Sequence, residues 1–230
     1  MIFGEVDNTD TYTQVALYEQ FARIAKALAN PHRIELLELL DQTPREVESL
    51  ARAANMSMTT TSSHLQVLRQ ARLVASHRQG TKIIYRLSGE DVAKCLASLR
   101  QLASTHLAEV KEILTEVFNS DDRTILVSHD ELLQLIENDD AVIIDVRPVE
   151  EYVAAHIKGA LSMPLETINE QLVNLDKDKE IVAYCRGPHC VLAPQAMEIL
   201  RSHGFHVRRL IDGLPEWRMA NLPVSLGAQP

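Results

Sequence analysis

The sequence has little with which to staple itself covalently or to cross a membrane. It holds three cysteines in 230 residues, an odd number that suits a reducing compartment where thiols are kept for reactivity, so structural disulfides are not expected. No uninterrupted apolar run approaches the ~18–20 residues that a membrane span requires. The opening stretch MIFGEVDNTD lacks a basic segment followed by an apolar one, as a secretory signal would have. A cytoplasmic protein without a membrane partner is therefore expected. Glycine and proline are scarce, at 8 and 9 residues, beside 46% hydrophobic and 24% charged residues. That balance excludes collagen-like and disordered chains and predicts packed cores. Domains cluster near ~100–150 residues, so the length predicts two of them. No internal repeat or low-complexity tract is visible.

Acidic residues are missing from one stretch in particular. Residues 57–88 contain Arg69, Arg72, Arg78, Lys82 and Arg86 and no Asp or Glu, within a chain of formal charge −9. This stretch is therefore +5 and the remainder −14. A basic island in an acidic chain is a face for a polyanion, with the surrounding negative charge restricting how that polyanion docks.

The hydrophobic period divides the chain. From Thr11 to Phe118 it is helical. Tyr18, Phe21, Ala25 and Leu28 mark one face, and Asn30-Pro31 is a cap followed by proline at a first helical position, opening a helix through Leu40. Val47, Leu50, Ala51 and Ala54 repeat the spacing. After a turn at Asn55, Ser57 can cap a helix carrying Leu65, Leu68 and Ala71. β-branched and aromatic residues then alternate from Val74 to Leu87 around Gln79-Gly80-Thr81, a hairpin signal. A final long helix carries Val92, Leu96, Leu99, Ala103, His106, Val110, Ile113 and Val117 on one stripe. That stripe is longer than a small domain covers, which predicts a homodimer through the first and last helices.

Asn119 to Arg123 is polar and reads as a linker. Beyond it, short apolar strands alternate with helices: Ile125–Val127, Val142–Asp145, Ala160–Met163, Ile181–Tyr184 and His206–Ile211. The alternation predicts a mostly parallel sheet wrapped by helices. The expected organisation is thus a mainly α half over residues 1–118, a linker over 119–123 and an α/β half over 124–230.

In the first half, Thr59, Thr60, Thr61, Ser62, Ser63, His64 and Gln66 place short hydrogen-bonding groups at the start of a helix, where a recognition helix meets base edges in a major groove. Arg69, Arg72, Arg78 and Lys82 are placed to hold phosphates. Ala27-Leu28-Ala29-Asn30-Pro31-His32-Arg33, Ser62-Ser63-His64-Leu65-Gln66-Val67-Leu68 and Gln79-Gly80-Thr81-Lys82 through Tyr85 together resemble the winged helix-turn-helix domain of the ArsR family of bacterial repressors. The resemblance spans Ala25 to Leu87 and implies binding of double-stranded operator DNA.

Many members of that family sense metals, but the ligand positions are not kept. Where arsenite sensors carry cysteines, this chain has Glu46-Val47-Glu48-Ser49-Leu50, with no soft ligand. The site on the family's final helix corresponds to Ala93, Cys95, His106 and Glu109, so one ligand is missing and one is changed. Cys95 and His106 also fall on the apolar stripe, where a buried thiol and a hydrogen-bonded core histidine are expected. Metal sensing through Cys95, His106 and Glu109 stays an alternative, and no cofactor is expected.

The second half holds Ile181-Val182-Ala183-Tyr184-Cys185-Arg186-Gly187-Pro188-His189-Cys190-Val191. A cysteine between a strand end and a helix start is surrounded by backbone N–H groups at the positive end of a helix dipole. With Arg186 as a nearby cation, Cys185 is expected to have a lowered pKa and to act as a nucleophile. Gly187, Pro188, His189 and Val191 complete an anion cradle, His189 being either a loop donor, a proton carrier or a solvent-exposed side chain. This loop resembles that of the rhodanese domain, the thiosulfate and persulfide sulfurtransferase fold. So do Asp145-Val146-Arg147 with Glu151-Tyr152, His156 through Ala160, Pro164, and Gly213-Leu214-Pro215-Glu216-Trp217. The resemblance covers 124–224 and implies that Cys185 accepts a sulfane sulfur as a persulfide, with Asp145 and Arg147 pinning the loop's surroundings as a charged pair. The loop departs from the commonest rhodanese form, which has a second basic residue where this chain has Cys190. Cys190 either resolves Cys185 through a sulfur–sulfur bond or only lines the pocket.

Together the halves suggest a DNA-binding repressor whose operator affinity depends on a small sulfur-containing anion or low-molecular-weight persulfide. The alternatives are a sulfurtransferase whose DNA domain serves only autoregulation, and a metal- or arsenic-responsive repressor.

Overall fold

A computed structural model describes residues 8–118 and 126–228, so the expected linker at 119–123 lies outside the described residues. The chain divides into two compact units, Met1–Leu96 and Ala97–Pro230.

The first unit begins with α1 (Asn8–Leu28) and α2 (Pro31–Gln42). The break between them follows from Asn30, whose side chain accepts from the Arg33 amide while Pro31 takes the first helical position and needs no donor partner. A two-residue strand β1 (Arg45–Glu46) precedes α3 (Val47–Ala53), and α4 (Met58–Gln70) follows a turn at Asn55, whose φ is 49°. Ser57 caps α4 by accepting from the Thr60 amide at 3.1 Å. Strands β2 (Val74–Gln79) and β3 (Lys82–Leu87) form the expected antiparallel hairpin, with Gln79 opposite Lys82 and Gly80 at φ 62°. The small sheet runs β1-β3-β2, and β1 was not foreseen because two residues carry no period. Leu36, Leu37, Leu50, Leu65, Leu68 and Tyr85 form the centre of this unit's core.

The long helix expected through Val117 is two: α5 (Glu90–His106) and α6 (Ala108–Phe118). The Thr105 hydroxyl donates to the Gln101 carbonyl at 2.8 Å, a back-bond that bends helices, and Leu107 lies outside both segments. An apolar stripe continues across such a break and so conceals it. The division between the two units falls within α5.

The second unit is α/β. In order it contains β4 (Leu126–Val127), α7 (His129–Glu137), β5 (Ala141–Asp145), α8 (Val149–Ala154), β6 (His156–Ile157), β7 (Leu161–Ser162), α9 (Ile168–Gln171), β8 (Glu180–Tyr184), α10 (Leu192–Ser202), β9 (Val207–Leu210), α11 (Leu214–Met219) and β10 (Val224–Ser225). The main sheet is parallel with order β4-β9-β8-β5-β7. Strands β6 and β10 make a separate antiparallel pair. One face of the sheet packs Ile144, Ile181, Ala183 and Val207 with Ala193, Ala196 and Leu200 of α10. The other packs Ile143, Val182 and Leu210 with Leu132, Leu214 and Trp217. Helices on both faces explain why β5 and β8 read as unbroken apolar runs. The β8–α10 loop lies at the carboxyl end of the central strand, where sheets of this type build their sites. No helix among the described residues is long and apolar enough to cross a membrane.

Candidate functional site

In the first unit, α4 presents a graded set of polar groups. Thr59, Thr60 and Ser63 are exposed and Ser62, His64 and Gln66 are half-buried. Thr61, which the sequence grouped with them, is fully buried and donates to the Ser57 carbonyl at 2.9 Å. It holds the helix start and faces no ligand. Thr60 shares the cap with Ser57, and the Ser63 hydroxyl returns to the Thr59 carbonyl at 3.0 Å. Burial lowers the His64 pKa, and Arg33 and His32 push the same way, so its imidazole stays neutral and can donate and accept at neutral pH. Arg69 is bonded to Gln66 at 2.8 Å, and Arg78 stiffens the hairpin tip by donating to the Gly80 carbonyl at 2.9 Å. Lys82 forms an exposed ion pair with Glu46 at 2.8 Å, so the acid-free stretch is acid-free in sequence only.

In the second unit, the site rests on a buried ionic frame. Asp145 ends β5 and Arg147 follows it, both fully buried. The guanidinium contacts the carboxylate at 2.6 and 2.9 Å and also donates to the Ala155 carbonyl at 2.7 Å. The Tyr184 hydroxyl donates to Asp145 at 2.6 Å and accepts from the Ile157 amide at 3.0 Å. Each charge is thus paired and its remaining valences filled, which is the condition under which such a pair survives burial. A second pair joins the frame to the loop: Glu151, fully buried on α8, receives Arg186 through Nε and Nη2 at 2.7–3.1 Å.

Above this frame, Cys185 follows β8, and Cys190 sits half-buried just before α10. Both are free thiols. The Cys185 sulfur lies 3.7 Å from the Cys190 carbonyl and 3.9 Å from that of Gly187. The sequence led us to expect an ionised, reachable Cys185. The structure corrects this: Cys185 is 1% exposed, and burial pushes its pKa well up, reinforced by Cys190. The lowered thiol is Cys190, brought to about 6 chiefly by the hydrogen bond that Cys185 gives it, and further by the Leu192 and Arg186 amides and the Arg186 charge. Ionisation of the pair therefore falls on Cys190, while burial favours the protonated form of Cys185. The amides of Gly187 and Ala193 face the Cys185 sulfur and favour its ionised form.

The sequence therefore located the loop correctly but misjudged two residues. Arg186 is committed to Glu151, a partner 35 positions away that no local pattern reveals. Cys190, offered as a resolving thiol or a pocket wall, is the more acidic member of the pair. Gly187 is buried while Pro188 and His189 are half-buried and Val191 is exposed. Gly213 backs the loop so closely that a β-carbon there would overlap the Gly187 amide and the Arg186 carbonyl carbon. One cation was missed altogether: Arg209 of β9 donates to the Pro188 carbonyl at 3.2 Å.

These two sites meet known families. Residues 30–76 match the family of bacterial regulatory proteins called the arsR family, and residues 128–220 match the rhodanese-like domain. Over 94% of its length the chain is 45% identical to an HTH-type transcriptional regulator, Rv0324, of Mycobacterium tuberculosis, covering 94% of that protein. The chain belongs to the ArsR-family transcriptional regulators, with a rhodanese domain at its C-terminal end. The rhodanese region of this regulator is 33% identical to the thiosulfate sulfurtransferase GlpE of Coxiella burnetii, over 43% of this chain and 91% of that one. The first half is similar to the winged helix-turn-helix DNA-binding domain of Mb0332 from Mycobacterium bovis. That match has 42% identity, a TM-score of 0.41 and coverage of 47% of this chain and 95% of that one.

The metal-site alternative gains nothing from the geometry of this ArsR-family protein. Cys95 and His106 are exposed, where a buried thiol and a core histidine were expected, and Glu109 lies on the next helix. Among the described residues no three His, Cys, Asp or Glu side chains converge to hold a metal.

Proposed function

We propose that this regulator is a homodimeric repressor whose affinity for operator DNA is set by a sulfane sulfur carried as a persulfide on Cys185. The observation that carries the reading is a pair of free thiols on one loop, Cys185 just after β8 and Cys190 just before α10, with the Cys185 sulfur 3.7 Å from the Cys190 carbonyl. Cys190, ionised in the resting loop, accepts the proton of Cys185 as that sulfur attacks the outer sulfur of a donor. An S–S bond to the protein forms as the donor's own S–S bond breaks and its leaving group departs with the electron pair. The Gly187 and Ala193 amides then face the persulfide anion. Asp145 and Arg147 hold the strand ends that frame the loop. Peptide mass spectrometry after polysulfide exposure tests the assignment: the added sulfur is expected on Cys185 in the wild type and in Cys190→Ser and is expected to be lost in Cys185→Ser, whereas a persulfide found on Cys190 would overturn it.

On the DNA side, Thr59, Thr60, Ser62, Ser63, His64 and Gln66 read base edges, and Arg69, Arg78 and Lys82 hold phosphates, Lys82 exchanging Glu46 for the backbone. Exposed Val15, Tyr18 and Phe21 on α1 and Ile113 on α6 supply the apolar surface of the dimer. A useful switch needs ~1–3 kcal/mol of coupling between sulfur loading and DNA affinity. Mobility-shift titration before and after polysulfide tests it: a shift in affinity that Cys185→Ser abolishes supports the reading. Steady sulfur transfer with DNA binding indifferent to loading favours instead a sulfurtransferase that merely resides on DNA.

A further inference from the structure

We infer that Arg209 is the cation that admits an anionic sulfur donor to the thiol pair, so that this residue of β9 sets the loop's preference for anionic over neutral donors. The inference rests on the persulfide reading above and adds the residue that selects the donor.

Three observations converge on it. Arg209 pairs in register with Ala183 of β8, and side chains at paired positions of a parallel sheet share a face. Ala183 and Val207, two residues before Cys185 and Arg209 respectively, both pack in the core that contains Cys185. The alternation of β9 thus sends Arg209 to the Cys185 side, whereas its neighbour Arg208 is bonded to Glu180 and Glu131. Second, the Arg209 guanidinium reaches the loop itself, donating from Nη1 to the Pro188 carbonyl at 3.2 Å. Burial leaves the Arg209 pKa below the usual guanidinium value, while charge on Cys185, on Cys190 and on Asp212 acts the other way. Third, the cation in the loop's own sequence is already balanced: the Arg186 guanidinium is held through two nitrogens by the buried Glu151 carboxylate.

The chemistry calls for such a group. When a thiolate attacks the outer sulfur of thiosulfate, two anions must meet at a half-buried loop before sulfite can leave. A neighbouring guanidinium screens that repulsion and binds the sulfonate oxygens in its planar fork. A neutral electrophile has no such need.

The test compares two donors on the full-length protein at pH 8, above the Cys190 titration at about 6. Thiosulfate measures the anionic reaction, read as thiocyanate released when cyanide strips the persulfide. Methyl methanethiosulfonate, which is uncharged, measures thiol reactivity alone. Arg209→Gln is expected to lower kcat/KM for thiosulfate at least tenfold, chiefly through KM, while the rate with the neutral reagent stays within twofold. Arg209→Lys is expected to recover much of the loss, since it restores charge without the fork. Equal loss with both reagents would make Arg209 a clamp for Pro188 and overturn the inference, as would a thiosulfate reaction unaffected by Arg209→Gln. Wild-type protein that takes sulfur from no anionic donor overturns the persulfide reading along with it, and so separates the two failures.

Discussion

Ionisation at the loop is set between two side chains. Cys185, buried to 1% exposure, keeps its proton because charge is costly there, and by donating it to Cys190 it stabilises the thiolate outside. The rate at which Cys190 is alkylated should therefore follow a titration with midpoint about 6. In Cys185→Ala, which removes the donor, the midpoint should move up toward the ~8.5 of a free thiol. Peptide-resolved alkylation across pH reads both, and an unmoved midpoint would refute the role of Cys185 as donor. The same pair makes stability depend on pH. Cys190, lowered in the folded state, contributes stability that is present above its unfolded pKa and lost as pH falls through about 6. Cys185, raised in the folded state, loses stability as pH climbs past the ordinary thiol range. Denaturation midpoints of the wild type should accordingly peak at mildly alkaline pH, and a Cys185→Ala, Cys190→Ala double variant should flatten that peak.

Strand ends and helix starts hold the site in place. β5 and β8 deliver Asp145 and Tyr184, in register with each other, to the same end of the sheet, and Arg147 closes the network with no exposed atom. Removing one member leaves a buried charge unpaired, so Arg147→Met is expected to cost about 3–5 kcal/mol. The single tryptophan, Trp217, is fully buried in this unit, so its fluorescence in a urea titration reports the loss. Gly213→Ala, which drives a β-carbon into the Gly187 backbone, is expected to cost about 3 kcal/mol by the same measurement. In the first unit, Ser57→Ala removes the cap of α4 and should cost ~1 kcal/mol, seen as a lower midpoint in far-ultraviolet circular dichroism.

At the scale of the whole molecule, charge and apolar surface govern association. Each phosphate contact contributes about −0.9 to the slope of log affinity against log salt, so Arg78→Ala should flatten that slope by about one, measured by fluorescence anisotropy on a DNA duplex. Glu46→Ala releases Lys82 from its exposed pair and should tighten DNA binding at low salt, an effect that added salt removes. The exposed apolar side chains of α1, Phe21 foremost at 64% exposure, predict that Phe21→Glu shifts sedimentation from dimer toward monomer. A variant that sediments like the wild type would remove α1 from the interface.

Period, punctuation and short motifs are local properties, and what they encode was readable without coordinates. Asn30-Pro31, Ser57 and Gln79-Gly80-Thr81 placed the boundaries of the first half, and the alternation of apolar runs gave the parallel sheet and the loop at Cys185. Tertiary structure decided what depends on distance between residues far apart in the chain. It bound Arg186 to Glu151, brought Arg209 from another strand to Pro188, buried Thr61, set Lys82 against Glu46 and passed the acidic role from Cys185 to Cys190. The reason is that pKa and pairing respond to burial and to neighbours within a few ångströms, and a sequence orders neighbours only along the chain.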